Sequence, residues 1–371
     1  MSCAVLDDAS LKCWGDILED TGDPINTPAS MSLPTGRHID LSERDIDGDG
    51  ILNIFETTHT PGMQEGHAFS RSTIATGGID QGNGHTCAIV ENGSLYCWGD
   101  NDYGQLGTGD TNQRNSPTYV NLGGSSVISV EAGTGHTCAI VENGSIYCWG
   151  RNHKGQLGND NFAANQRNPQ LVNLSVGRTA VQVSAGFYHT CAVLDNGSVA
   201  CWGWNSHGQL GSGLSGANGD AFCTTSGEIS MYCNGQSNPV YVRLDQDDLA
   251  GLSNVSQTAV AVSTGFQGSC AVVEDGHVRC WGTNYQSLRP GGSTTPYTNP
   301  DLTSVVAVAV EDESACGLLQ NGTVYCWGRG TEGQMGVNST NNHYTGEIVS
   351  VQNLGKPVIS IAAGYRNFCA I

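Results

Sequence analysis

Residues 84–107 read Gly84-His85-Thr86-Cys87-Ala88-Ile89-Val90-Glu91-Asn92-Gly93-Ser94-Leu95-Tyr96-Cys97-Trp98-Gly99-Asp100-Asn101-Asp102-Tyr103-Gly104-Gln105-Leu106-Gly107. Ala88-Ile89-Val90 and Ser94-Leu95-Tyr96 are short apolar, strand-forming runs. Between them lies Glu91-Asn92-Gly93, a three-residue hairpin loop. Such a loop wants a left-handed residue last, and glycine adopts that conformation without a Cβ clash. With this loop Val90 faces Ser94 and Cys87 faces Cys97. Counting outward places the cysteines at a non-hydrogen-bonded pair, where antiparallel Cα atoms approach most closely. That approach suits a disulfide, and closing a loop of this length contributes roughly 2–3 kcal/mol in the chain-entropy model. A C-x9-C pair on facing strands is poor zinc spacing.

The unit recurs along the chain. The fifteen cysteines fall into seven C-x9-C pairs: Cys3 with Cys13, Cys87 with Cys97, Cys138 with Cys148, Cys191 with Cys201, Cys223 with Cys233, Cys270 with Cys280, and Cys316 with Cys326. Cys369 is left over. In six pairs the second cysteine precedes Trp-Gly, at Trp14, Trp98, Trp149, Trp202, Trp281 and Trp327. From Cys97 to Cys148 is 51 residues, from Cys148 to Cys201 is 53, and from Cys280 to Cys326 is 46. A period near fifty is a repeat architecture, and it overrides the two or three domains that 371 residues would otherwise suggest.

Each unit carries further strands. Val127-Ile128-Ser129-Val130 precedes the hairpin, and Pro169-Gln170-Leu171-Val172-Asn173-Leu174 follows a glycine-punctuated loop, Arg151 to Gly158. Four short strands per fifty residues, without an amphipathic helix, make one blade of a β-propeller. The expected fold is all-β: a propeller of six to seven four-stranded blades, seven preferred, incompletely closed. It forms a single domain over 1–371, with the tryptophans packed between blades.

The recurring pattern G-x-x-H-T-C-A-x-x-x-x-G-x-x-x-C-W-G-x-N-x-x-G-Q-L-G resembles the regulator of chromosome condensation repeat. Residues 84–107, 135–158 and 188–211 match it best; 265–282 and 316–336 match it more weakly, with Gln334-Met335-Gly336 in the last. The resemblance implies a propeller, usually seven-bladed. It also brings an alternative function, guanine-nucleotide exchange on a small GTPase, as in the nuclear member of the family. No exchange residue carries over, because no matched position lies outside the blade scaffold. This chain departs from the family pattern in the cysteine pair of each hairpin. In that it resembles secreted bacterial versions of the repeat.

Composition narrows the function. Thirty-five acidic and 15 basic side chains give a formal charge of −20, which excludes a phosphate-binding surface and so a nucleic-acid partner. No run of eighteen apolar residues exists to cross a membrane as a helix. The number of cysteine pairs implies an oxidising compartment: extracellular space, cell surface or periplasm. No nucleophile elbow, phosphate loop or metal-hydrolase helix occurs. The expected protein is therefore a non-enzymatic interaction or adhesion scaffold with a protein or glycan partner. A carbohydrate-active enzyme is a further alternative without a motif to support it.

Two insertions break the period. The second, 211–238, holds Cys223-TTSGEISMY-Cys233, a hairpin-like segment that a disulfide would fasten. The first, 38–80, holds Asp45-Ile46-Asp47-Gly48-Asp49-Gly50-Ile51-Leu52-Asn53-Ile54-Phe55-Glu56. Residues 45–56 fit a twelve-residue EF-hand-type loop. Asp45, Asp47 and Asp49 supply carboxylates, Gly50 the sharp turn, Ile51 a backbone carbonyl, Asn53 a ligand direct or through water, and Glu56 both carboxylate oxygens. Ca2+, a hard ion taking six to eight oxygens, is the expected structural cofactor. Without paired helices, the loop resembles the dockerin or thrombospondin type-3 form.

The remaining candidates are histidines, asparagines and the chain ends. His85, His136 and His189 share one repeat position and are expected to be structural. His153 and His207 lie in the Gly-Gln-Leu-Gly loops, within reach of a partner. Asn92, Asn143, Asn196 and Asn321 head glycosylation-type triplets that the hairpin turn already explains. The chain begins and stops inside hairpins, and the partner position of Cys369 falls past Ile371, so the sequence reads as a piece of a longer protein.

Overall fold

A computed structural model describes residues 2–5, 11–15, 25–31, 73–79, 83–162, 165–175, 177–213, 224–225, 228–229, 235–244, 257–282, 293–298, 302–311, 314–331, 333–336, 341, 349–351, 357–364 and 367–370. Five antiparallel four-stranded sheets follow one another, each built in chain order from one repeat. The first comprises Ile74–Ile79, Asn83–Ile89, Leu95–Gly99 and Arg114–Val120. The second comprises Val127–Ala132, His136–Val141, Ile146–Gly150 and Gln166–Leu171. The third comprises Ala180–Ala185, His189–Leu194, Val199–Trp204 and Gly235–Tyr241. The fourth comprises Ala259–Thr264, Gly268–Val273, Val278–Gly282 and Ser293–Thr298. The fifth comprises Val305–Val310, Ser314–Leu319, Val324–Gly328 and Val349–Ser350. First strands of successive sheets adjoin one another, so they are innermost and the fourth strands form the rim. This is a β-propeller, and the sheets are its blades.

A three-stranded sheet, Ser2–Val5, Leu11–Gly15 and Ile25–Met31, precedes the five blades in sequence, and the pair Ile361–Gly364 and Asn367–Ala370 follows them. Among the described residues no strand pairing joins these two sheets, so the ring is incompletely closed. The insertions merge into the blades at their ends. Ile74–Ile79 is the first blade's innermost strand, and Gly235–Tyr241 is the third blade's rim strand.

The hairpins follow the sequence logic. Cys87 pairs with Cys97 and Cys138 with Cys148 in strand register. The Val90 amide donates to the Ser94 carbonyl at 3.0 Å, and the Gly93 amide to the Val90 carbonyl at 2.8 Å. Gly93, Gly144, Gly197 and Gly322 all hold φ between 75 and 78°, the left-handed conformation that closes the loop. Five disulfides, at Cys87–Cys97, Cys138–Cys148, Cys191–Cys201, Cys270–Cys280 and Cys316–Cys326, join cysteines whose Cα atoms are 4.0–4.1 Å apart. Cys3 faces Cys13 in the same register. Cys223 and Cys233 lie outside the described residues; between them Thr224 pairs with Ile229. Cys369 is an exposed free thiol opposite Ala362.

The cores lie between blades. In the second blade, Ala139, Val141 and Trp149 pack backward against Cys87, Leu95, Leu106 and Val120 of the first. Its Cys138, Ile140, Ile146 and Cys148 pack forward against Val183, Ala192 and Trp202 of the third. Alternation along each strand thus gives one face to each neighbour. Trp98, Trp149, Trp202, Trp281 and Trp327 are fully buried.

A polar latch reinforces each of these seams. His85 Nε2 meets Thr137 Oγ1 at 2.8 Å, and Thr137 Oγ1 donates to the Gln105 carbonyl at 2.7 Å. A hydroxyl has one proton to give, so the threonine accepts from histidine and the imidazole proton sits on Nε2. Trp149 Nε1 donates to the same Gln105 carbonyl at 2.8 Å. His136, Thr190, Gln156 and Trp202 repeat the arrangement, as do His189, Ser269, Gln209 and Trp281. The repeated geometry of the Gly-Gln-Leu-Gly loop therefore presents a glutamine carbonyl to the next blade. Burial holds the histidines well below the ordinary value, His85 at about 4 and His136 and His189 at about 3, so all three are neutral at pH 7.

Candidate functional site

Antiparallel succession puts two loops of every blade at the same end of the disc: the turn between the first and second strands, and the loop between the third and fourth. The loop is rigid. Asn101 Oδ1 accepts the Leu106 amide at 3.0 Å, and Gln105 Oε1 accepts the Tyr103 amide at 2.9 Å. Asn152 with Gln156, and Asn205 with Gln209, repeat both bonds. These asparagines and glutamines are buried. Positions beside them, in this loop and in the turn, differ from repeat to repeat, and several are at least partly exposed.

On blades one to four those variable positions assemble an aromatic cluster. Tyr103 comes from the first blade's loop, and Arg151 and His153 from the second's. Phe187 and Tyr188 form the third blade's turn, Trp204 and His207 its loop, and Phe266 the fourth blade's turn. All are half-buried. Phe187 stands edge-on to Tyr188 at 4.8 Å and to Phe266 at 4.4 Å between ring centroids. Trp204 lies 5.8 Å from Tyr188, 5.9 Å from Phe266 and 5.0 Å from His207. The edge-to-face geometry is the favoured one for ring quadrupoles.

Arg151 closes the cluster on one side. Its guanidinium carbon lies 4.6 Å from the Tyr103 ring centre and 5.1 Å from that of Tyr188, two cation–π contacts. Arg151 Nε donates to His153 Nδ1 at 3.0 Å, which places the histidine proton on Nε2. His153 stacks edge-on against Tyr188 at 5.3 Å. Burial first, then the charges of Arg151 and Lys154, hold His153 down at about 4, so it stays a neutral acceptor for the arginine. Burial also lowers His207. Gly135, at the second blade's turn, leaves room here: a Cβ would meet the Tyr103 ring at 3.0 Å and Arg151 Cδ at 3.4 Å. The third blade carries Tyr188 at the equivalent position.

The sequence candidates divide accordingly. His153 and His207 fall in this one cluster. His85, His136 and His189 are latch residues, buried beneath it. Asn92, Asn143, Asn196 and Asn321 lie exposed at the opposite end, each accepting the amide two residues on. The calcium loop, with Asp45, Asp47, Asp49, Ile51, Asn53 and Glu56, lies outside the described residues. The aromatic cluster was not anticipated. Its signal was available: Trp204 is the seventh tryptophan, outside the Cys-Trp-Gly series, and Phe187 and Phe266 stand where the second repeat has Thr134.

Known proteins place this architecture. Family models described as the Regulator of chromosome condensation (RCC1) repeat match residues 92–140, 143–193 and 321–371, and, in a second form, 78–105, 127–156, 180–209, 259–287 and 305–334. Together they span more than half of the chain. The ultraviolet-B receptor UVR8 of Arabidopsis thaliana is 32% identical over 235 residues, 63% of this chain and 47% of the receptor. The E3 ubiquitin-protein ligase HERC2 of Homo sapiens is 35% identical over 134 residues, 36% of this chain and 3% of the ligase. The chain thus spans about half of the first relative and a small part of the second. The crystal structure of human WBSCR16 superposes with a TM-score of 0.62 at 19% identity, over 77% of this chain and 69% of that one. That likeness concerns the fold.

Proposed function

The chain belongs to the RCC1 repeat family, and on that premise we propose that it is a non-enzymatic, disulfide-stapled protein-interaction module working in an oxidising compartment at the cell surface, in the periplasm or outside the cell. One observation carries the reading: Tyr103, Arg151, Tyr188 and Trp204 gather half-exposed at one end of a rigid disc, whereas the repeat tryptophans are buried. Tyrosine, tryptophan and arginine are the residues that dominate protein–protein binding energy. A rigid platform keeps the ordering cost of binding low. The five bonded cysteine pairs fit an oxidising location.

Cross-linking in the native setting, followed by quantitative mass spectrometry, tests the module. Tyr188→Ala with Trp204→Ala should deplete the cross-linked partners, and Tyr119→Ala, on the exposed rim, should not. Equal recovery from both variants would reject this face as the working one. Calcium forms a separate part of the proposal. Ca2+ held by Asp45, Asp47, Asp49, Asn53, Glu56 and the Ile51 carbonyl would order the first insertion. Isothermal titration should give one site, lost in Asp45→Ala with Glu56→Ala; unchanged binding in that variant removes the assignment.

A further inference from the structure

Arg151 differs from Arg114 and Arg178, each of which pairs with a carboxylate. Arg114 is matched by Asp110 at 2.7 Å and Arg178 by Asp195 at 3.4 Å. Arg151 forms no ion pair among the described residues, in a chain with 35 carboxylates to 15 cations. Its position is nevertheless fixed. Two tyrosine rings flank the guanidinium, a neutral histidine nitrogen holds Nε, and the Arg151 amide donates to the Gly135 carbonyl at 2.8 Å. The Nη groups carry the remaining donors. They form no hydrogen bond among the described residues, while Nε is already engaged.

Resting on the reading of this face as a protein-interaction site, the geometry points to its ligand: a peptide segment whose aspartate or glutamate side chain pairs with the Nη groups of Arg151 and whose neighbouring aromatic or aliphatic side chain packs on Tyr188, Trp204 and Phe266. Three considerations support the choice. Guanidinium with carboxylate is the strong, planar match, made stronger by charge on both partners. Holding the arginine in advance between the rings removes most of the side-chain entropy that such a contact otherwise costs. The aromatic surface lies beside the cation, so the ligand must offer charge and apolar area in adjacent positions. The overall negative charge opposes this only weakly. Long-range repulsion is screened beyond about 8 Å at physiological ionic strength, and the pairing is in direct contact.

The test uses the whole chain and a fluorescent twelve-residue peptide library in which Glu-Phe, Asp-Leu, Gln-Phe and Asn-Leu cores are presented in otherwise identical glycine-serine flanks, read by anisotropy. The acidic-aromatic core should bind best. Glu→Gln in the peptide, or Arg151→Gln in the protein, should each weaken binding by about tenfold or more. The two changes together should cost little more than either alone. Arg151→Lys should restore part of the loss. Thermal unfolding of Arg151→Gln serves as the folding control, since the Tyr103 and Tyr188 rings remain. Equal binding of acidic and amide peptides, or no binding of any, overturns the inference. It leaves the broader interaction reading to the cross-linking of Tyr188 and Trp204 variants, which does not depend on acidic chemistry. A dimer of this chain that Arg151→Gln dissociates would show a second copy in the site and also overturn it.

Discussion

His136 Nε2 donates to Thr190 Oγ1 at 2.9 Å across the seam between the second and third blades, while His136 Nδ1 is buried with no hydrogen-bond partner among the described residues. The same holds for Nδ1 of His85 and His189. One nitrogen of each ring therefore works as a donor to the next blade, and the other is sealed in a dry seam. Protonating that second nitrogen would place an unpaired charge between blades, which is why burial depresses all three rings.

Acid should loosen the ring before carboxylates are titrated. The folded histidines titrate at about 4, 3 and 3, below the unfolded value near 6.5. Above that unfolded value the neutral form is present in both states, and stability is unaffected. As pH falls below it, the unfolded chain takes up protons that the folded chain refuses. Stability then declines by up to about 1.4 kcal/mol per pH unit for each histidine, until the folded rings titrate. Urea midpoints measured from pH 7.5 to 4.5 should fall in this window. The variant His85→Gln, His136→Gln, His189→Gln keeps a donor at each seam and should flatten the decline. A profile unchanged by the triple substitution would assign the acid sensitivity elsewhere.

Trp149 separates packing from hydrogen bonding at the same seam. Trp149→Phe retains most of the ring area against Leu95, Leu106 and Val120 but loses the bond to the Gln105 carbonyl, which keeps Thr137 as its donor. A cost near 1 kcal/mol is expected. Trp149→Ala empties the seam and should cost about 3–5 kcal/mol. Chemical denaturation with disulfides intact measures both. Similar losses in the two variants would show that the bond, not the burial, dominates.

What the sequence discloses, and what it hides, follows from what repeats. The hairpin around Gly144, the Cys138–Cys148 pairing and the burial of Trp149 occur several times with the same residues. Their causes are local: a glycine at positive φ, strand alternation and a fixed count of nine. The latch was half visible. Its histidine recurs at one repeat position, but its acceptor, Thr190, lies one blade further on, and the Gln156 carbonyl is main chain without any sequence signature. The aromatic face is built from positions where repeats differ, so the sequence marks its residues, such as Trp204, as exceptions without showing that they meet. Arg151, Trp204 and Phe266 belong to three successive blades, and only the curvature of the ring brings them together.

The Cys138–Cys148 bond closes a short loop within a buried hairpin. Replacing both cysteines by alanine should lower stability by roughly 2–3 kcal/mol through greater freedom of the unfolded chain, with a further small cost for lost packing against Ala192 and Trp202. Non-reducing peptide mapping of the native protein should recover all five described pairs. Free thiols at these positions in freshly isolated protein would contradict the oxidising location, and a negligible loss in the alanine pair would show that neighbouring blades already hold the hairpin.

Gly133 and Gly123 make the last comparison. Gly133 sits where the second blade's innermost strand ends, and a Cβ there would overlap both the Gly186 carbonyl oxygen of the third blade and the His136 ring. Gly77, Gly186 and Gly265 meet their neighbours in the same manner, so glycine sets how closely the blades approach around the axis. Gly133→Ala must push two main chains apart and disturb the His136 latch; a loss of roughly 2–4 kcal/mol is expected, in the range of other overpacked cores. Gly123 has φ of 69° with nothing within 4 Å of an added Cβ. Gly123→Ala therefore costs only left-handed strain, about 1 kcal/mol. Urea denaturation of the two variants, side by side, measures the difference. Equal losses would mean that the blades can separate freely, and that the latch and the tryptophan seam, rather than the close backbone contact, determine their spacing.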